Sequence, residues 1–162
     1  TIIGILAAIA VPSLNSAAKK ARQREAVIIV SSVLKAAQAY LVEYSLPPKD
    51  VGDLSEYMTI VECIYGDRSW CKGNSGFRNM GTAQPTARGR NSPSGGYAID
   101  ISQSNSSRFL ITAKPQSAAP GVAATFLQDE YGASGCLNYS TRSSKVFIAT
   151  DPGVASLVPP LC

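Results

Sequence analysis

The residues best equipped for chemistry in this chain are four cysteines, Cys63, Cys71, Cys136 and Cys162. Thiols bind metal, attack electrophiles or oxidise to disulfides, and their spacing and company discriminate among these roles. No pair has the C-x-x-C spacing of a zinc site and the chain contains no histidine, so a metal would find few ligands. If the domain is exported, an even count points instead to disulfides, for which three connectivities exist. Proximity in sequence favours Cys63–Cys71, which closes a small loop, and Cys136–Cys162. Chain ends normally fray, so a cysteine at position 162 reads as a tether to the region around Cys136.

Other chemistry is sparse. The missing histidine removes the commonest general base. Neither a G-x-S-x-G nucleophile elbow nor a P-loop occurs. Asp129-Glu130 is an adjacent carboxylate pair, and Asp50 lies near Asp53, but neither has the alternating oxygen-ligand spacing of a Ca²⁺ loop. Asn105-Ser-Ser and Asn138-Tyr-Ser fit the glycosylation triplet, a short pattern that arises often by chance. The expectation is a protein that is not an enzyme and takes no cofactor and no metal.

The element that dominates the chain is its beginning. From Ile2 to Val11 there is no charged or strongly polar side chain. A bilayer span needs about 20 apolar residues, so this run is too short to cross by itself. It lacks the basic flank of a signal peptide. A buried core helix and the end of a longer membrane-inserting helix remain, and the second fits better because the pattern continues into an amphipathic helix. Residues 13–44 contain no Gly or Pro and are rich in Ala, Lys, Arg, Gln and Glu, all good helix formers. Ala26, Val30, Val33, Ala37, Tyr40 and Tyr44 recur at steps of three and four, which lays an apolar stripe along one face. Leu34 and Leu41 widen it. Leu46-Pro47-Pro48 ends the helix. A helix of about 45 residues at 1.5 Å per residue exceeds the diameter of a small domain, so part of it must protrude. Gly4 and Pro12 weaken the apolar stretch, and either a kink or local melting is expected there.

The apolar start resembles the type IV pilin family. The likeness is carried by Ile2-Ile3-Gly4-Ile5-Leu6-Ala7-Ala8-Ile9-Ala10-Val11-Pro12, in which Gly and Pro bracket a run of Ile, Leu and Ala. It is close over the first 14 residues. The downstream layout of long helix, loop, β region and late cysteines is also similar. Pilins begin with a methylated Phe and carry a Glu close behind; both are expected upstream of Thr1. The resemblance implies a subunit that is anchored in the inner membrane before assembly and then polymerises with identical copies into an extracellular surface filament. Ile2, Ile3, Gly4, Ile5, Leu6, Ile9, Val11 and Pro12 would pack the filament core, with melting between Gly4 and Pro12 on assembly. The resemblance also supports the Cys136–Cys162 pair. Assembly would use pilus machinery with an ATPase supplied elsewhere, and the loops would serve adhesion, motility or DNA uptake.

Composition and pattern organise the remainder. A length of 162 residues suits one domain. Charged residues make up only 16% and the net charge is +4, with no dense basic stripe interleaved with aromatics, so charge does not by itself argue for nucleic acid. Lys19, Lys20, Arg22, Arg24 and Glu25 form a collar after the apolar run. Counted alone, it would put the following domain in the cytoplasm; the cysteines argue for the opposite side. The collar is read either as solvated or as a partner for acidic groups on neighbouring subunits.

Four regions follow: an apolar segment 1–14, an amphipathic helix 15–46, a loop region 47–96 and a β region 97–162. Asp53 to Met58 suggests a helical turn capped by Asp53 with Glu56 three residues on. The stretch 81–96 reads as an exposed loop made basic by Arg88 and Arg90, with Arg78 nearby. Its usual meaning is solvation, and DNA or an acidic partner is the sharper alternative. Tyr97–Ser102 and Arg108–Ala113 read as a hairpin, Ala124–Gln128 as a weak strand or short helix, and Cys136–Tyr139 and Lys145–Thr150 as two further strands. The expected fold is α+β, a long N-terminal helix packed on a roughly four-stranded antiparallel sheet in a pilin-like roll, with a disulfide-closed C-terminal region. Alternatives to the pilus subunit are a pseudopilin of a type II secretion system and a membrane-anchored binding module. The four cysteines and the long loop favour the pilin, because major pseudopilins usually replace the disulfide with a Ca²⁺ site.

Overall fold

A computed structural model of the chain describes residues 2–48, 51–59, 61–63, 77–79, 90–92, 97–104, 107–115, 131–149 and 162; within 2–20 it describes the helical backbone and the side chains of Leu14, Ala17 and Lys20. Helix α1 runs without interruption over Ile2–Tyr44, 43 residues, a length of about 65 Å at 1.5 Å per residue. Gly4 and Pro12 both lie inside it. Its end comes where Pro47-Pro48 required, and Ser45 adds a stop of its own by taking a left-handed φ of 54°, the conformation that turns the chain out of a helix.

Helix α2 is a single turn, Val51–Leu54. It begins two residues earlier than the sequence suggested, so Asp53 is a helical residue of the first turn rather than its cap. Ser55 closes the turn instead, donating from its hydroxyl and its amide to the Gly52 carbonyl. Region 47–96 is not wholly loop. It contributes β1 (Val61–Cys63) and β2 (Phe77–Asn79), paired antiparallel, and β3 (Arg90–Asn91). These strands are two or three residues long, too short for an alternation to show in sequence.

The main sheet has the order β3-β4-β5-β6-β7, antiparallel throughout. Strands β4 (Tyr97–Ser104), β5 (Arg108–Pro115), β6 (Ala133–Asn138) and β7 (Ser144–Ile148) form the expected four-stranded meander, and β3 adds a two-residue edge. The chain is therefore α+β, with the helix laid across one sheet face. Strand β6 starts three residues before the expected Cys136 because Ala133 and Ser134 are small and carry little strand preference of their own; pairing to β5 and β7 recruits them.

Register decides which residues meet α1. Phe109, Ile111 and Ala113 of β5 lie opposite Leu137, Gly135 and Ala133 of β6, and these in turn oppose Ser144, Val146 and Ile148 of β7. This face receives Ala26, Val30, Val33, Leu34, Ala37 and Leu41 of the helix, all buried together with Phe109, Ile111 and Leu137. Burial of each large apolar side chain contributes about 1.5–3 kcal/mol. Ala36 is buried as well, although it lies beside the stripe read from spacing. Tyr44, placed on that stripe, is 45% exposed; at the last helical residue it has run past the sheet and packs on Tyr40 instead, ring centres 4.6 Å apart.

Candidate functional site

The apolar half of α1 is the first candidate. Positions 2, 3, 4, 5, 6, 9, 11 and 12 all fall on the helix, and positions 2, 5, 6 and 9 share one face at 3.6 residues per turn. The side chains of Ile2, Ile3, Ile5, Leu6, Ile9, Val11 and Pro12 lie outside the described residues. Leu14, the first described side chain, is 69% exposed. Among the described residues further along, Gln23 donates to the Ala149 carbonyl at 2.9 Å and Ala26 enters the core. Among the described residues, Lys20–Tyr44 is long and apolar enough to cross a membrane. Within it, Ala26, Val30, Val33, Leu34, Ala37 and Leu41 are buried against the sheet.

Beside the collar, α1 and the edge strand β7 leave an open groove of about 540 Å³, lined by Lys20, Gln23, Arg24, Val27, Ile28 and Ile148. Ile28 and Ile148 stand well exposed along it, and Lys20 and Arg24 bring positive charge to an apolar floor. The charges are visible in the sequence but the groove is not, because Ile148 reaches Ile28 only through tertiary packing.

At the other end of α1 a reciprocal brace joins two Glu-Tyr dipeptides. Tyr44 donates to the Glu56 carboxylate at 3.1 Å, and Tyr57 donates to that of Glu43. Tyr40 completes the cluster edge-on to Tyr57 at 6.1 Å. The hydrogen bond to Glu56 raises the Tyr44 pKa, and the bond to Glu43 raises that of Tyr57, since each bond is lost when the phenol ionises. The one signal for this brace in the sequence is the repeated Glu-Tyr pair, which carries no periodicity and so does not stand out.

The cysteines divide. Cys136 and Cys162 lie at bonding distance with Cα atoms 6.0 Å apart, within the range a disulfide spans. Cys136 alternates with Gly135 along β6, so it faces away from α1 and brings position 162 to the far side of the sheet. The Cys63 side chain and all of Cys71 lie outside the described residues, as do Asp50, Asp129, Glu130, Arg88, the Arg78 side chain and the segment 124–128. Asn138, of the second glycosylation triplet, uses its side-chain oxygen to accept from the amides of Ser140 and Thr141 at 2.9 and 3.2 Å, which shapes the β6–β7 turn. Among the described residues no three His, Cys, Asp or Glu side chains gather as a metal site.

Tyr139, in the same turn, is packed against the core with no partner for its buried hydroxyl. Burial pushes its pKa up to about 12. The folded pKa lies above the unfolded value, so this contribution to stability is intact below pH 10 and is lost as pH rises towards 12. Tyr139→Phe is expected to abolish that alkaline loss and to raise neutral-pH stability by up to about 1 kcal/mol, because an unsatisfied hydroxyl is removed. Denaturant melts at pH 7 and pH 11 check both.

Comparison with protein-family models, with curated proteins and with solved structures gives no match.

Proposed function

We propose that this chain is the structural subunit of an extracellular helical filament of the type IV pilus kind. The observation that carries the reading is α1 itself: one unbroken helix over Ile2–Tyr44 whose later part, from Ala26, enters the core of an α+β domain and whose beginning, Ile2 to Val11, has no charged or strongly polar side chain. A soluble domain gains nothing from such an extension. A polymer does, because each subunit can bury its segment among identical segments.

In this reading the roll is pilin-like, and Cys136–Cys162 is a disulfide that closes the C-terminal region. Before assembly the apolar half is held in the inner membrane with the domain outside. Assembly moves Ile2 to Leu14 from lipid into a bundle of like helices. Both surroundings are apolar, so the transfer costs little, whereas exposure to water would cost about 0.8 kcal/mol per CH₂. Export and extrusion require machinery and nucleotide hydrolysis supplied by other proteins, and the outward loops contact surfaces or DNA.

The test is to shear filaments from source cells and sequence their subunits from the N-terminus. This chain as the dominant subunit, beginning upstream of Thr1 with a methylated Phe, supports the reading. Filaments without it, and the chain confined to membranes, would replace it with a pseudopilin or an anchored binding module.

A further inference from the structure

The two ends of the sheet-bound part of α1 are complementary to each other. The groove at the lower end presents Lys20 and Arg24 over Val27, Ile28 and Ile148. The upper end presents the exposed carboxylates of Glu43 and Glu56 beside Leu46, which is 62% exposed. The phenols of Tyr44 and Tyr57 hold those carboxylates in place. Both surfaces pair charge with exposed apolar side chains, and the charges are opposite. Opposed potentials of this kind steer and register a protein contact.

Their placement excludes one molecule satisfying itself. Arg24 and Glu43 are 19 residues apart on one continuous helix, about 28 Å along its axis. They also occupy different flanks. The groove lies on the β7 side of α1, and Lys20 and Glu43 are separated by roughly 140° around a helix of 3.6 residues per turn. Surfaces on opposing flanks, offset along an axis, bring a second copy alongside with its helix parallel and shifted. Such a head-to-tail contact does not close on itself, and repetition makes an open chain of subunits.

We infer that the Lys20/Arg24 groove docks the Glu43/Glu56 end of α1 from a second copy of this chain, fixing the axial offset between neighbouring domains at about 28 Å. The inference deepens the filament reading and rests on it for its setting. It concerns contact between domains rather than burial of the apolar segment. The contact is electrostatic at its rim, so it weakens as salt shortens the Debye length from about 10 Å at 0.1 M to 3 Å at 1 M.

The experiment uses the full chain in non-ionic detergent, which covers the apolar half of α1 and leaves domain contacts to be read by sedimentation and chemical cross-linking. Two charge-reversed variants are made, K20E/R24E and E43K/E56K. Like charges across the contact are expected to lower association of each variant alone by on the order of a hundredfold. Mixing the two restores opposite charge at both surfaces, and a ladder of cross-linked oligomers is expected to return. E43Q/E56Q keeps an acceptor for both phenols while deleting the charge, so it should fold normally and associate weakly. Wild-type association by either reversed variant, a mixture that stays monomeric, or a wild-type species that stops at a closed dimer would each overturn the inference. Filaments formed equally well on cells by both reversed variants would also overturn it while leaving the filament reading intact. Ladders in detergent without filaments on cells would sink the filament reading and keep this contact.

Discussion

Ile5→Asp is expected to abolish filament assembly and to leave the domain folded. Position 5 lies in the apolar run at the start of α1, far ahead of Ala26, where the helix enters the core. A carboxylate near the middle of an apolar bundle or bilayer costs about 2.5–3.5 kcal/mol on insertion scales. Every subunit would carry that cost, and each 1.4 kcal/mol is about tenfold in an equilibrium constant. Sheared-filament yield is therefore expected to drop by roughly a hundredfold or more, with domain melting unchanged. Ile5→Val, which keeps the apolar character, should assemble. The same cost falls on membrane insertion, so fractionation is expected to show the Asp subunits depleted from membranes as well as from filaments. Wild-type filament yield from Ile5→Asp would remove the apolar half from the assembly mechanism.

Gly135→Val is expected to destabilise the domain by overpacking. Gly135 sits in the centre of β6 directly beneath α1. A Cβ built there would come within 2.6 Å of Leu34 Cδ1 and 2.7 Å of Val30 Cγ1, closer than nonbonded carbons approach. Leu34 and Val30 are both buried, so their side chains must shift within a filled core to admit the new atoms. Overpacking of this kind costs about 1–3 kcal/mol, and the larger Val side chain places this substitution at the upper end. For a chain of this size a Tm fall of about 6–12 °C follows. A double-mutant cycle identifies the mechanism. Leu34→Ala alone costs about 2–5 kcal/mol through its cavity, but Gly135→Ala combined with Leu34→Ala should cost less than the two singles together, because the new methyl enters the space Leu34 vacates. Additive losses would mean that the two residues do not meet.

Ile5 and Gly135 differ in how plainly the amino-acid sequence marks their roles, and the elements that carry them differ in the same way. The long helix is legible from end to end, since periodicity, helix-forming residues and a Pro-Pro stop agree with one another. Its buried stripe is legible too, except at Tyr44, where the sheet ends before the pattern does. The β4–β5 hairpin and β7 announce themselves by β-branched and aromatic residues. Strands β1, β2 and β3 do not, because two or three residues hold no period, and their pairing comes from distant partners.

The candidate site divides along the same line. The apolar run from Ile2 to Val11 and the charge collar are local or compositional facts that sequence alone determined, whereas for the cysteines proximity only favoured Cys136–Cys162 among three connectivities. What only the tertiary structure decided are relations between distant positions: Gly135 under Leu34, Ile148 beside Ile28, and Tyr57 reaching back to Glu43 while Tyr44 reaches forward to Glu56. The physical reason is that hydrophobic periodicity reports which face of an element avoids water, an energy nearly independent of what covers it. Register and close approach depend instead on the shapes and hydrogen-bonding atoms of two particular partners, and no single segment contains both.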